Sequence, residues 1–139
     1  MCIRDSDKIM SAELSVIQDD YDRAIHGEYA GSVLARGWHE VDKFWIGLRS
    51  SFPAAKFSIE HQIGRQDENM PPRAALRWIL EGKHDGWVLF GKPTGADVYI
   101  MGMAHVEYGA LVTGIQKIRI EYVLYDEVAI WKQILLKTG

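Results

Sequence analysis

The chain has little cysteine and proline and no long apolar run. Its 139 residues include one cysteine, Cys2, and four prolines. A single cysteine excludes an intrachain disulfide and is compatible with a reducing compartment. No apolar run approaches the roughly 18 residues of a membrane-spanning helix, and no secretory apolar segment follows Met1. We therefore expect a cytoplasmic protein with no membrane partner.

An excess of charge of one sign is also lacking. Sixteen Lys and Arg residues stand against 19 Asp and Glu residues, for a formal net charge of −3. This balance offers no basic surface to a phosphate backbone, so we do not expect a nucleic-acid partner. Hydrophobic residues make up 47% and charged residues 25%, as in ordinary globular proteins. The length fits one domain.

The first six residues, MCIRDS, are set apart from the rest. They resemble a start that recurs in proteins translated from assembled sequencing reads, where adapter sequence has been included. We expect residues 1–6 to be a non-native or disordered tail and residues 7–139 to form the single domain.

The first third of the chain shows helical spacing. Apolar residues between positions 7 and 26 recur three or four apart, and Gly27 supplies a stop. Ser32 is a candidate cap for a second helical stretch, whose apolar residues again lie on one face until Pro53. Two amphipathic helices are therefore predicted first.

The rest of the chain is predicted to form mainly strands. Residues 57–63 alternate apolar and polar side chains, and residues 73–84, 98–112 and 115–125 form longer apolar runs between turn residues. A short helix is predicted over residues 126–137. Helices followed by a mostly antiparallel, curved sheet and a final helix indicate an α+β fold, with the helices on one face of the sheet.

Alternation along the strands predicts which side chains share a face. We expect the face toward the helices to carry five polar residues among large apolar groups: His61, His84, His105, Tyr122 and Asp126. The opposite face of the last two long strands is apolar too, and a second copy of the chain would cover it. This homodimer surface is predicted to comprise Val98, Ile100, Val106, Tyr108, Val123 and Tyr125.

Three segments resemble a known family. LRWILEGKHDG, FGKPTGADVYIMGMAHVEYG and IEYVLYDEVAIWKQIL are similar, in order and spacing, to the second half of SnoaL-like proteins of the nuclear transport factor 2-like superfamily. The resemblance covers about residues 57–136. It implies a conical α+β barrel, in which a strongly bent, mostly antiparallel sheet wraps around N-terminal helices, often in a dimer formed through the outer sheet face.

The resemblance also implies candidate catalytic residues. In the polyketide-cyclase-like branch, a carboxylate at the end of the last strand acts as a general acid and base beside a histidine on the neighbouring strand. These positions fall on Asp126 and His105. The chain departs from the family at Glu121 and Tyr122, which stand where the family has a His-Trp pair. This departure bears on any specific cyclase activity.

Each candidate also has a structural interpretation. Asp126 lies where a strand becomes a helix, so it could cap that helix, and His105 could be a core histidine bonded to the backbone. Three histidines and a carboxylate could in principle hold a metal, but no tight ligand spacing supports this, so we expect no metal and no cofactor. The remaining candidates are predicted to line a substrate pocket: His61, Trp78, Met101, Met103, Tyr122 and Trp45.

The function predicted from these residues is a cofactor-independent enzyme of cyclase, isomerase or hydrolase type. It would use Asp126 and His105 for proton transfer on a hydrophobic small molecule, because a carboxylate and an imidazole in an apolar pocket can be tuned toward neutral pH. The alternative is a non-catalytic module of the same fold that binds a small ligand or dimerises.

Overall fold

The computed structural model describes residues 20–109 and 116–139. The described elements are β1 (Tyr21–Tyr29), β2 (Val33–Arg36), α1 (Gly37–Ser51), β3 (Lys56–Arg65), β4 (Arg73–Lys83), β5 (Asp97–Tyr108), β6 (Ile118–Tyr125) and α2 (Glu127–Thr138). Neither α1 nor α2 is long and apolar enough to cross a membrane.

The six strands form one sheet in the order β2-β1-β6-β5-β4-β3. Only β1 and β6 pair in parallel, and the other neighbours are antiparallel. One face of this curved sheet carries the buried residues and packs against α1, whose contacts fall on β1 and β2. This confirms the predicted α+β architecture with a mostly antiparallel, curved sheet.

The second half of the chain follows the prediction closely. The strands predicted over residues 57–63, 73–84, 98–112 and 115–125 correspond to β3, β4, β5 and β6, and the final helix is α2. The predicted junction between β5 and β6 near Thr113 and the tail over residues 1–6 lie outside the described residues.

The predicted first helix is wrong where the structure describes it. Residues 7–19 lie outside the described part of the chain, but Tyr21–Tyr29 is a strand. A register irregularity between Tyr21 and His26 sets extra residues of β1 opposite β6, and Arg23 is exposed there although Tyr21 and Ile25 on either side of it are buried. The resulting spacing of four residues imitates one face of a helix.

The predicted start of the second helix is also wrong. Ser32 is not a cap: it has φ 61° and lies in the turn between β1 and β2. Leu34 belongs to β2, and α1 begins at Gly37, where φ is 77°. A hairpin thus precedes α1, and the predicted end before Pro53 agrees with the end of α1 at Ser51.

The predicted faces of β5 and β6 are inverted. Trp78, on the buried face of β4, pairs with Gly102, which pairs with Tyr125. The residues predicted for the outer homodimer surface are therefore core residues or pack against the core: Val98, Ile100, Val106, Tyr108, Val123 and Tyr125. Both strands are apolar on both faces, so alternation alone could not choose between them.

A side-chain amide joins α2 to the sheet. The first residues of β5 have no β6 partner, since β6 pairing begins only at Gly102. Gln133 occupies this edge: its Oε1 accepts the Tyr99 N–H at 2.8 Å and its Nε2 donates to the Tyr99 carbonyl at 3.0 Å. The amide thereby satisfies both backbone groups as a neighbouring strand would.

Candidate functional site

A cleft of about 370 Å³ opens between the β1–β2 hairpin, α1 and the junction of β6 with α2. Its volume lies within the range of small-molecule sites. The walls are mainly apolar and comprise Ala30, Val33, Leu34, Ala35, Phe44 and Leu89. We refer to this space as the cleft.

Four polar side chains also face the cleft. They are Glu40, Lys43, Tyr125 and Glu127. Glu40 and Phe44 are four residues apart on α1, and helical geometry therefore presents both on the same face. Tyr125 ends β6, and Glu127 begins α2 one residue beyond the helix cap. An apolar cavity with a few convergent polar groups is the usual form of a ligand site.

Within the cleft, Tyr125 and Glu127 form a hydrogen-bonded pair. Burial raises the pKa of the Tyr125 hydroxyl, and the Glu127 carboxylate raises it further through its charge and as a hydrogen-bond acceptor. Tyr125 therefore remains a protonated donor at neutral pH. A phenol donor beside a carboxylate can supply both a hydrogen bond to a substrate oxygen and a proton acceptor.

Stacked aromatic rings form the wall behind the cleft. The Phe44 ring stacks on Tyr29 with 3.7 Å between ring centroids and an interplanar angle of 9°. Phe44 also contacts Trp45 and Tyr125, at centroid distances of 5.2 and 6.4 Å. The cleft and the buried layer beneath it therefore share side chains.

Glu121 lies in that buried layer, and the three donors to it within residues 20–109 and 116–139 are neutral. Its Oε1 accepts the Tyr21 hydroxyl at 2.6 Å, and its Oε2 accepts the Tyr29 hydroxyl at 2.7 Å and the Trp45 indole N–H at 3.4 Å. Burial raises the pKa of Glu121, while these hydrogen bonds lower it in part. Burial and the neighbouring Glu121 also raise the pKa values of both tyrosines.

This electrostatic arrangement predicts how stability depends on pH. Because the folded-state pKa of Glu121 is raised, its contribution is fully present below about pH 4.5 and is lost as pH rises through the folded pKa. Glu121→Gln removes this titration. We expect the unfolding free energy of the wild type, minus that of Glu121→Gln, to fall as pH rises from 4 to 7. Urea unfolding at several pH values measures it, and a constant difference contradicts the expectation.

The structure does not bring His105 and Asp126 together. His105 is half-buried on the outer sheet face, where its ring stacks on Tyr122 at 5.8 Å. Asp126 lies four residues beyond Tyr122, a separation of roughly 13 Å along an extended chain. Its Oδ1 accepts the Ala129 N–H at 3.0 Å, so Asp126 caps α2. Their catalytic roles remain predictions, while each residue has a structural contact.

The predicted substrate-binding residues divide between the two faces. Trp78 and Trp45 are buried on the inner side. The other four lie on the outer face, where His61 is opposite Arg77 and the remaining three are exposed: Met101, Met103 and Tyr122. A second irregularity, between Ile59 and His61, switches the face of β3. None of the six lines the cleft.

His84 is a core residue. It is fully buried against the rings of Phe52 and Phe90, and its Nδ1 lies 3.1 Å from the Thr94 hydroxyl oxygen. In residues 20–109 and 116–139, no three His, Cys, Asp or Glu side chains lie close enough to hold a metal ion.

None of the cleft residues is among the predicted site residues, although the sequence contains a signal for the hairpin that forms one wall. Tyr125 was predicted to face outward, and the segment that forms β1 and β2 was predicted to be helical. The stretch HGEYAGSVLAR contains Gly31 and Ser32 between alternating residues, a pattern typical of a hairpin. In such a hairpin Val33 and Ala35 lie opposite β1, where they form part of one wall of the cleft.

Comparisons with known proteins agree with this architecture. No family model and no curated protein matches the chain. Among solved structures, a SnoaL-like protein from Jannaschia sp. CCS1 with a proposed polyketide cyclase function superposes with a TM-score of 0.76 at 17% identity. The match covers 95% of this chain and 87% of the other.

Two Streptomyces proteins are similar. IdmH from Streptomyces antibioticus, a proposed polyketide cyclase, has a TM-score of 0.72 at 14% identity, covering 92% of this chain and 91% of its own. AclR from Streptomyces galilaeus, a proposed hydroxylase, has a TM-score of 0.71 at 18% identity, covering 95% and 79%. At these identities the likeness establishes the fold. The chain therefore has the conical α+β fold of SnoaL-like proteins in the nuclear transport factor 2-like superfamily.

Proposed function

We propose that the protein is a small-molecule enzyme that performs acid and base chemistry in the cleft without a cofactor. Glu127 acts as the base, and the Tyr125 hydroxyl stabilises negative charge on a substrate oxygen. The observation that supports this most directly is the pairing of a protonated phenol with a carboxylate inside an apolar cavity. The fold is shared with proposed polyketide cyclases and a proposed hydroxylase, which makes a small-molecule substrate consistent with it.

The chemistry follows from the two groups. The Glu127 carboxylate takes a proton from the carbon next to a carbonyl, and the electron pair moves into an enolate. The Tyr125 O–H donates a hydrogen bond to the enolate oxygen, where charge develops. In a substrate whose enolate is conjugated with a C=C bond, return of the proton from Glu127 to the far carbon of that system gives an isomerisation. Attack of the enolate carbon on a second carbonyl of the same molecule closes a ring, and the alkoxide that forms takes the proton back from Glu127. The apolar walls strengthen both interactions by excluding water.

A second candidate function is a non-catalytic ligand-binding module. The engagement of Asp126 by the Ala129 N–H supports it, because the carboxylate at the position implied by the family is then used to hold a helix. In both functions the cleft holds the ligand, and they differ in whether the ligand is converted. The roles of Asp126 and His105 and the cytoplasmic location stay predictions and form no part of this proposal.

Removing the aromatic wall tests where the ligand binds. We expect Phe44→Ala to weaken binding of the neutral fluorophore N-phenyl-naphthylamine about tenfold, since the variant loses an aromatic wall of the kind worth roughly 1–2 kcal/mol to a ligand. Phe57→Ala is the matched control, because Phe57 is also half-buried but packs on Trp78 and does not line the cleft. Fluorescence titration measures both. Equal affinity in the two variants contradicts the location.

We also propose that the protein forms a homodimer through the outer sheet face. Met101, Met103 and Leu124 on that face are 55%, 60% and 67% exposed, and Tyr99 and Tyr122 lie beside them. Neighbouring strands β5 and β6 thus present one continuous apolar surface. A second copy of the chain is the proposed partner for this face, because a two-fold dimer brings the same apolar surface of both copies together and removes it from water.

A single charge should disrupt this dimer. We expect the wild type to scatter light as twice the 15.8 kDa monomer and Met103→Glu to scatter as a monomer at the same concentration. Burying the new carboxylate at an interface carries a large desolvation cost. Leu136→Glu, at an exposed leucine of α2, serves as the control and should stay dimeric. A wild-type monomer at micromolar concentration refutes the proposal.

A further inference from the structure

The buried carboxylate of Glu121 has no part in the chemistry assigned to the cleft. It is 3% exposed, and it accepts hydrogen bonds from β1 and from α1. A buried carboxylate with neutral donors is costly, and an apolar residue of similar volume could fill the same space. Packing alone therefore does not explain a glutamate at position 121.

Tyr29 connects Glu121 to the cleft. Its hydroxyl donates to Glu121 Oε2, and its ring stacks on Phe44, the aromatic wall of the cleft. The ring also folds back over its own strand: a Cβ at Gly27 would lie 2.7 Å from the Tyr29 hydroxyl oxygen and 2.8 Å from ring carbons. The absence of a side chain at Gly27 thus allows the ring position that the hydrogen bond holds.

We propose that Glu121 is a positioning residue, which fixes the Tyr29 ring and through it sets the place of Phe44 in the wall of the cleft. The inference rests on the proposed function only in taking the cleft as the functional site. Glu121 touches no ligand in this account. It acts through one hydrogen bond and one ring stack.

The network contains a matched pair of phenols that separates positioning from simple stability. Tyr21 and Tyr29 are both buried, and each donates to one oxygen of Glu121 at nearly equal distance. Only Tyr29 stacks on Phe44. Tyr21→Phe and Tyr29→Phe each remove one hydroxyl and keep the ring. A purely structural role for Glu121 therefore affects both variants alike, whereas positioning affects the cleft only in Tyr29→Phe.

Glu121→Gln separates positioning from proton transfer. The amide oxygen can accept from Tyr29 and Trp45, while the amide NH₂ can donate to the Tyr21 hydroxyl oxygen, since a hydroxyl both donates and accepts. The conservative variant is thus expected to preserve the Tyr29 ring position. Glu121→Leu provides no acceptor and is expected to release it.

The experiment is fluorine NMR of protein that carries fluorophenylalanine at position 44 alone, placed there by amber-codon suppression, so that the phenylalanines introduced at positions 21 and 29 carry no fluorine. We expect Tyr29→Phe and Glu121→Leu to shift the Phe44 resonance and to weaken N-phenyl-naphthylamine binding several-fold. Tyr21→Phe and Glu121→Gln should leave both unchanged. A Phe44 resonance that moves as far in Tyr21→Phe as in Tyr29→Phe, or in neither, overturns the inference.

The same variants distinguish a failure of this inference from a failure of the proposed function. Should Glu121→Leu prove unfolded, Tyr29→Phe and Glu121→Gln still decide the question, because the first is expected to move the resonance and the second is not. Turnover can prove independent of Tyr125 and Glu127 while the Phe44 resonance moves as expected. Turnover can equally depend on them while the resonance does not move. The two proposals therefore fail by different measurements.

Discussion

Glu127→Gln should lower turnover by about 100-fold or more once a substrate is in hand. The amide has nearly the same shape as the carboxylate but cannot accept the substrate proton, and positioned bases contribute roughly 10²–10⁴-fold. The loss should appear in kcat and in kcat/KM, since the contact between base and proton is strengthened only in the transition state. Steady-state kinetics of the purified variant measures it.

The neighbouring carboxylate provides the control. Asp126→Asn removes a charge one residue away but leaves a side chain that caps a helix about as well. Because Asp126 Oδ1 is engaged by the Ala129 N–H and does not line the cleft, its turnover and stability should match those of the wild type. The reverse result, a large loss in Asp126→Asn and none in Glu127→Gln, would restore the assignment made from the sequence and refute the cleft chemistry.

Gly86→Ala should cause the largest loss of stability. A Cβ at Gly86 would lie 1.6 Å from the carbonyl oxygen of Ser50, at the end of α1. Backbone cannot yield as a flexible side chain does. Relieving the overlap must separate the loop from the helix and break the hydrogen bond from the Gly86 N–H to the Ser51 carbonyl. We expect the unfolding free energy to fall by about 3 kcal/mol or more.

Gly109→Ala is the matched control for that substitution. The nearest atoms to a Cβ at Gly109 are 3.7 Å away, which is ordinary van der Waals contact. Its unfolding free energy should lie within about 1 kcal/mol of the wild type. Urea unfolding of both variants measures the difference. Equal stability would show that the loop and the end of α1 do not approach as closely as described.

The fold could be predicted from the second half of the chain because its strands are separated by strong turn signals. The stretches GKHDG and GKPTGAD bound β4 and β5, and Asp126 marks the change from strand to helix. The side-chain period changes clearly at these points. Helix, strand and turn were therefore predictable there, and the resemblance to a known fold depended on the same residues.

The faces of the strands could not be predicted in the same way. Along β5 the side chains on both faces are apolar, because one set forms the core and the other forms an exposed surface with Met101 and Met103. Hydrophobicity alone cannot distinguish these sets. The inner set is defined by the register between Trp78 and Gly102, which is a property of pairing between strands.

The candidate site could not be predicted, because the faces of β5 and β6 were inverted and the β1–β2 hairpin was predicted to be helical. Tyr125 belongs to the inner face only in the correct register. The opposite wall of the cleft is a hairpin, and in its first strand the buried residues Tyr21 and Ile25 are four apart with Arg23 exposed between them, as on one face of a helix. Glu121 was noticed only as a departure from the family pattern. Glu121 contacts Tyr21, Tyr29 and Trp45, which are distant from it in the sequence, so no local pattern could predict this network.

The most direct test of the cleft as the functional site is a crystal structure of the protein with bound N-phenyl-naphthylamine. We expect its rings against Phe44 and its amine within hydrogen-bond distance of the Glu127 carboxylate or the Tyr125 hydroxyl oxygen. Soaks of Phe44→Ala crystals should show the cleft without the fluorophore. Density for the fluorophore at another place in the wild type, with the cleft empty, would contradict the central claim.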